Sequence, residues 1–298
     1  MTSHFKPIPL EEAAHIASYS LQPPDHPEIE IAQAKHRINL ANLWNIAPGS
    51  RILELGCGQG NATAVLAHIV GTGGHVDAVD PGALDYGAPF TLSQAQDHLT
   101  KSAVGERIRW HQAEPEDFLQ HTASNEQDTW DVAVLAHCIW YFATPLVLAS
   151  ILRALRGRVK RICVAEYAMH ATEKAAVPHV LAVLARGMLE AFREESSENV
   201  RSPLTPGSIK DIAAEAGWVM SGPDSMVVPE PGLLDGKWEA GSVKSKSFLR
   251  DMTDNITDQR IRLAVQTSRD AVLIAIERLE DEPIRTMDVW VAQFKEKQ

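Results

Sequence analysis

Five strand-like runs, at 51–55, 75–79, 107–111, 130–136 and 159–166, alternate with stretches of helical apolar spacing at 61–70, 91–102 and 144–157. Such alternation predicts a parallel sheet with helices on both faces. Upstream, Ile31, Ala34, Ile38 and Ala41 share one side of an amphipathic helix from Ile29 to Trp44, which Pro48 and Gly49 end. Residues 1–27 are polar and interrupted by Pro23, Pro24 and Pro27, which predicts a mobile or draped arm.

Beyond Val164–Tyr167 the alternation breaks. Residues 171–199 read as a mostly helical insertion rich in Ala, Leu and Met, ending in the acidic run 194–198. Thr205 and Pro206 open a further helix, with a good cap and a proline in its first turn, and Gly217 stops it. A strand around Trp218–Val228 follows. A second helical insertion covers about 245–280, with Ile261, Val265, Ala271, Ile274 and Ile276 as candidate buried positions. Thr286–Phe294 alternates as a last strand.

The most specific segment is 51–61, Arg-Ile-Leu-Glu-Leu-Gly-Cys-Gly-Gln-Gly-Asn. An apolar strand (Ile52, Leu53, Leu55) runs into Gly56, Gly58 and Gly60, and a helix leads out. Glycines at these positions let the backbone approach a ligand closely at a strand's carboxyl end. The next strand, His75–Asp80, ends in an acid whose carboxylate can accept from both hydroxyls of a ribose. A nucleoside-containing cofactor is therefore expected. The dinucleotide fingerprint G-x-G-x-x-G is not present, because Asn61 stands where its third glycine belongs.

Glu54-x-Gly-x-Gly-x-Gly60 followed by Asp80 resembles the first two motifs of class I S-adenosylmethionine-dependent methyltransferases. Two more segments extend the likeness over roughly 50–165: 107–114 is similar to the third strand and adenine-side loop, and 130–142 to the fourth strand and the acceptor-facing loop. The stretch Ala136-His-Cys-Ile-Trp-Tyr-Phe142 is most similar to small-molecule methyltransferases of microbial secondary metabolism, stand-alone fungal ones included. The resemblance implies an α/β fold, a three-layer Rossmann-like seven-stranded sheet with its last strand antiparallel, and helical lid insertions over the strand ends. It divides the chain into an arm and cap helix (1–49), a cofactor-binding core (50–168), a lid insertion (169–204) and the rest of the sheet (205–298) with a second insertion at about 236–282.

The same resemblance implies S-adenosyl-L-methionine as cofactor. Glu54 would orient its amino-acid end beside Gly56, Cys57, Gly58 and Gly60, and Asp80, with Pro81, would hold the ribose. Gln112, Ala113 and Glu114 would border the adenine, Ala136 would close the site, and Tyr19 from the arm could fold over it. An exposed strand-end charge is the plainer account of Glu54, and a turn acid that of Asp80. His137, just past the fourth strand, is the candidate base, because imidazole titrates near neutral pH. Its plainer account is a loop histidine bonded to a backbone carbonyl. Trp140, Tyr141, Tyr167 and His170 are candidates for the acceptor wall, with core packing as the alternative. His26, His36, His68 and His121 carry no interpretable spacing, and no pair of residues reads as a metal site.

The net charge of −11 argues against a nucleic-acid partner, which calls for a basic footprint. No run approaches the roughly 18 apolar residues of a membrane helix, so a cytoplasmic protein with a small-molecule acceptor is expected, with a homodimer left open. Cys57, Cys138 and Cys163 lie in or beside strands and read as reduced apolar fillers. The expected activity is methyl transfer to a small apolar or aromatic molecule in a lidded pocket. The alternatives are a cofactor-assisted rearrangement or cyclisation, or a non-enzymatic regulator on the same fold.

Overall fold

Strands β1 (Arg51–Leu55), β2 (His75–Asp80), β3 (Ile108–Gln112), β4 (Trp130–Ala136) and β5 (Val159–Tyr167) run parallel in the spatial order β3-β2-β1-β4-β5. Beyond β5 the sheet continues through β6 (Trp218–Met220), β7 (Ser225–Val227) and β8 (Val289–Glu296). β8 pairs antiparallel with β5 on one side and with both β6 and β7 on the other. The single strand expected around 218–228 is thus split in two, and eight strands occupy seven lateral positions. The antiparallel last strand is as expected. The computed structural model describes residues 5–122, 129–196 and 198–297; the first four residues of the expected arm and Ser197 of the acidic run lie outside them.

Side-chain alternation along the strands feeds two cores. On one face Ile52, Val76, Ala78, Val132, Val134 and Cys163 pack with helices α1 (Ala13–Ala17), α2 (Pro27–Trp44) and α3 (Asn61–Val70). On the other, Leu53, Leu55, Val79, Ala133, Leu135 and Ile162 meet α5 (Pro115–His121), α6 (Pro145–Ala154) and α8 (Pro206–Glu215), while α4 (Leu92–Thr100) follows β2. Central strands covered on both faces read as near-continuous apolar runs, which is why they were legible. Thr205 caps α8 by accepting from Ser208 N–H at 3.2 Å, with Pro206 at its first position.

A third core lies wholly among the inserted helices α7 (Val177–Glu190), α9 (Asp235–Lys244), α10 (Lys246–Asn255) and α11 (Gln259–Glu277). It gathers Ala182, Ala185, Leu189, Ala240, Val243, Phe248, Met252, Val265 and Val272. Arg186, almost fully buried, lies 5.0 Å above the Phe248 ring and 3.7 Å from Glu190. The second insertion therefore holds three helices, the first of which begins at Asp235, ten residues before the helical pattern read from about 245 and next to the insertion bound expected at about 236.

Two further expectations are corrected, and one helix was not legible in the sequence. Part of the arm is helical and buried: Ile16 and Ala17 are core residues, because α1 supplies an apolar turn for α3 to cover. The short helix α5, started by Pro115, had no periodic signal over its seven residues. Finally, α2 is not amphipathic in the usual sense. Gln33, Ala34, His36, Ile38, Leu40, Ala41 and Trp44 are all buried, so the helix is covered on more than its sheet-facing side.

Candidate cofactor and acceptor site

The loop after β1 places three glycines with positive φ at the sheet's carboxyl edge. Their roles divide by what a side chain would meet. A Cβ on Gly56 would lie 2.4 Å from Cβ of Cys138, so this residue is small because two loops touch there. A Cβ on Gly58 would meet nothing within 4 Å, which leaves open space on that side of the loop, the side a ligand can use. Gly60 starts α3 without a capping side chain, so the helix's first amide groups stay available.

Asp80, at the end of β2, braces the loop. Its Oδ2 accepts from Gly58 N–H and its Oδ1 from Gly82 N–H, both at 2.8 Å. Each oxygen keeps a second lone pair, so the carboxylate can hold the loop and still take ribose hydroxyls. Glu54 is buried and accepts from the Thr63 hydroxyl at 2.6 Å. Burial lifts its carboxyl to about 8, with Asp80 adding to the rise and the Thr63 bond and Arg37 opposing it. Burial likewise raises the Cys57 thiol well above its usual value, so it is an inert thiol. Pro81 is exposed, and Ala113 N–H donates to Asp80 O. Gln112 donates to Gly82 O at 3.2 Å, and Glu114 is exposed at the start of α5, its carboxyl raised by burial, then by Asp117, Glu116 and Asp80.

At the end of β4, after Ala136, the chain turns through His137 in a left-handed conformation (φ 56°), and its N–H donates to Ala165 O at 2.9 Å. That turn aims the imidazole across the strand ends. Its Nε2 lies 2.9 Å from Nε2 of His36 on α2, and its Nδ1 lies 3.7 Å from Glu166 Oε1. Glu166, buried at the end of β5, also accepts from the amides of Ile139 and Tyr167, each at 3.0 Å. The Tyr167 ring sits 4.5 Å from that of His137 and 5.1 Å from those of Trp140 and His179. Its hydroxyl donates to Asp235 Oδ1 at 2.7 Å.

His179 Nδ1 accepts from Met287 N–H, which puts its own proton on Nε2. Burial holds this imidazole down to about 4, so it is neutral. Trp140 is buried and donates to Leu204 O, whereas Tyr141 is half exposed. His137, Trp140 and Tyr167 are thus brought together, and the glycine loop meets the same turn where Gly56 abuts Cys138.

Two expected residues are not. Tyr19 places its hydroxyl 2.9 Å from His15 Nε2 and 3.2 Å from His68 Nδ1, near the far end of α3, two turns from the glycine loop. An apolar packing site, not an open cleft, receives it. His170 is bound to Asp288 at 2.7 Å, with Thr172 on the same carboxylate, and so ties the exit of β5 to the entry of β8.

Four residues were missed. Gln33, His36 and Arg37 on α2, and Asp235 at the start of α9, carry buried polar atoms with no hydrogen-bond partner among the described residues: Gln33 Oε1, His36 Nδ1, Arg37 Nε and Nη1, Asp235 Oδ2. Burial raises the carboxyls of Glu30 and Glu54, and the Arg37 charge opposes that rise and also acts on His36 and Tyr167, so the guanidinium lies among them. Unpaired buried polar groups are costly in a folded protein, and a ligand is one way to satisfy them. Open space beside Gly58, spare lone pairs on Asp80 and an unpaired guanidinium suit a ligand with a ribose, a carboxylate and a cationic centre, and S-adenosyl-L-methionine has all three.

The family model described as a methyltransferase domain matches residues 28–220. The methyltransferase phomM' of Diaporthe leptostromiformis is 29% identical over 97% of this chain and 82% of its own length; phomM of the same organism is 28% identical over the same shares. The crystal structure of a cyclopropane-fatty-acyl-phospholipid synthase-like protein from Lactobacillus casei superposes with a TM-score of 0.82, at 29% identity over 96% of this chain and 99% of that one. With this match and this site, the chain belongs to the methyltransferase-domain family, as an enzyme that uses S-adenosyl-L-methionine.

Proposed function

We propose that the protein methylates a small, largely apolar or aromatic molecule in a pocket between the strand ends, α2 and the inserted helices. The observation that carries this reading is the buried cluster of His36, His137, Tyr167, His179 and Asp235, drawn from both the sheet and the insertions. Apolar walls with a few convergent polar groups are the usual build of a small-molecule site.

When bound, the cofactor supplies an activated methyl on a sulfonium. The chain's part is to hold the reactants in line and keep water out. Asp80 would take the ribose hydroxyls and Arg37 the cofactor's carboxylate. Glu54 would face its ammonium, whose positive charge favours the ionised carboxyl over the proton that burial otherwise retains. Gly56, Cys57, Gly58 and Gly60 would line the passage, with Pro81, Gln112, Ala113 and Glu114 around the adenine. The faces of Trp140 and Tyr167 would border the sulfonium and the acceptor, and Tyr141 would stand at the mouth.

The test is to incubate the protein with S-adenosyl-L-methionine and a panel of apolar and aromatic alcohols, phenols and amines, measuring S-adenosylhomocysteine. Release in step with methylated product supports the reading. Product formed without S-adenosylhomocysteine would overturn it in favour of a rearrangement.

A further inference from the structure

The His36–His137 contact fixes where protons can be. With the two Nε2 atoms 2.9 Å apart, one proton lies between them: two would clash, and none would set lone pair against lone pair. On the other side of His137, Nδ1 faces Glu166 Oε1 at 3.7 Å. That carboxylate is pinned by the Ile139 and Tyr167 amides and cannot turn away. A neutral His137 therefore gains by carrying its proton on Nδ1, toward Glu166. Its Nε2 is then a bare acceptor, and the shared proton belongs to His36 Nε2.

Two consequences follow from this order. With its proton on Nδ1, facing Glu166 across 3.7 Å but buried without a hydrogen-bond partner among the described residues, and its Nε2 accepting from His36, His137 has no lone pair left for a substrate. His36 has one, on Nδ1, and this atom is buried without a partner among the described residues. Burial, then Arg37 and His137, hold His36 well below its usual value, so it rests neutral with this lone pair bare. Its neighbours are Gln33 and Arg37 on the same helix and His137 from the strand ends. His36 also borders a cavity of about 10 Å³ with Lys35, Asn39 and Glu230, close to the room one water needs.

We propose that Glu166 and His137 act in series to orient His36, and that His36 Nδ1, rather than His137, takes the proton of the acceptor. The proposal rests on the methyl-transfer reading. The acceptor's lone pair forms the new bond to carbon as the carbon–sulfur bond breaks with its electrons going to sulfur. The acceptor's N–H or O–H proton moves to His36 Nδ1, giving an imidazolium whose Nε2–H still donates to His137. The small cavity beside Glu230 then offers the proton a route to the surface. His137 and Glu166 are positioning residues in this scheme: the carboxylate sets the tautomer of one imidazole, as in the serine-hydrolase triad, and that imidazole in turn sets the tautomer of the next.

Nitrogen-15 NMR of the histidine-labelled protein, free and with S-adenosylhomocysteine, tests this without any acceptor. The expected pattern is His137 protonated at Nδ1 and bare at Nε2, and His36 protonated at Nε2 and bare at Nδ1. His137 found bare at Nδ1 would overturn the proposal. His36→Gln, which keeps a donor near the same place, should preserve the His137 pattern, while His36→Leu should convert it to a mixture of tautomers. An unaltered His137 in His36→Leu would also overturn it, and if either variant fails to fold, the wild-type spectrum decides alone. Failure to bind S-adenosylhomocysteine would count against the methyl-transfer reading, whereas the ring tautomers, read in the free protein, decide this one.

Discussion

The hydroxyl of Tyr167, the last residue of β5, donates to Oδ1 of Asp235, the first residue of α9, at 2.7 Å. One hydrogen bond thus links the carboxyl end of a sheet strand to the second helical insertion. Tyr167→Phe would leave the Asp235 carboxylate without this partner. Stability should fall by about 1–3 kcal/mol, the cost of stranding a buried acceptor, measured by urea unfolding. Affinity for S-adenosylhomocysteine should stay unchanged in calorimetry, because the bond lies on the acceptor side.

Asp80 braces the glycine loop and, under the proposed function, holds the ribose as well, so a substitution should show both. Asp80→Ala should weaken S-adenosylhomocysteine binding by about 1–3 kcal/mol, through lost charge-assisted bonds to ribose hydroxyls. It also releases the amides of Gly58 and Gly82. Asp80→Asn can still accept from one amide, so it should lie between the two in calorimetry. Unchanged affinity in Asp80→Ala would remove the ribose assignment.

Gly56 and Gly58 should fail in different ways. Gly56→Ala drives a methyl into Cys138, so the melting temperature should fall together with binding. Gly58→Val enters open space, and its positive φ costs about 1–2 kcal/mol for any L side chain. The fold should survive that cost while S-adenosylhomocysteine binding is lost. Full binding by a folded Gly58→Val protein would show that the space beside Gly58 is not the ligand's.

Glu54 makes the ligand-free protein sensitive to pH. Its carboxyl, raised to about 8 when folded, ionises near its ordinary value when unfolded. The folded state therefore binds more protons between about 4.5 and 8, and stability drains away as pH rises through that window. Denaturation at several pH values should show a downward slope there that Glu54→Gln lacks. Bound S-adenosylhomocysteine, which brings an ammonium, should flatten it.

The strands and loops of the candidate cofactor half were legible because each element announces itself locally. The β1 run, the glycines and Asp80 lie within one strand–helix–strand unit, and the parallel strands are apolar along their length. His137 could be placed because it follows β4 directly. His36 could not, since its partner lies 101 positions away and nothing in its own neighbourhood names it. One signal was present: Gln33 and His36 occupy the buried stripe that Leu40 and Trp44 continue, and polar residues on such a stripe ask for partners. Tyr19 and His170 misled for the opposite reason. Each lies where a lid residue belongs in sequence, but His68 and Asp288 satisfy them first.

The separate packing of α7, α9, α10 and α11 has a consequence for how such a protein changes over generations. Phe248, Ala185 and Val272 close on one another rather than on the sheet, so the contour of these helices can vary while the sheet's own core is left unaltered. Under the proposed function, new acceptors can then be recruited one substitution at a time, while the glycine loop and Asp80 are inherited intact.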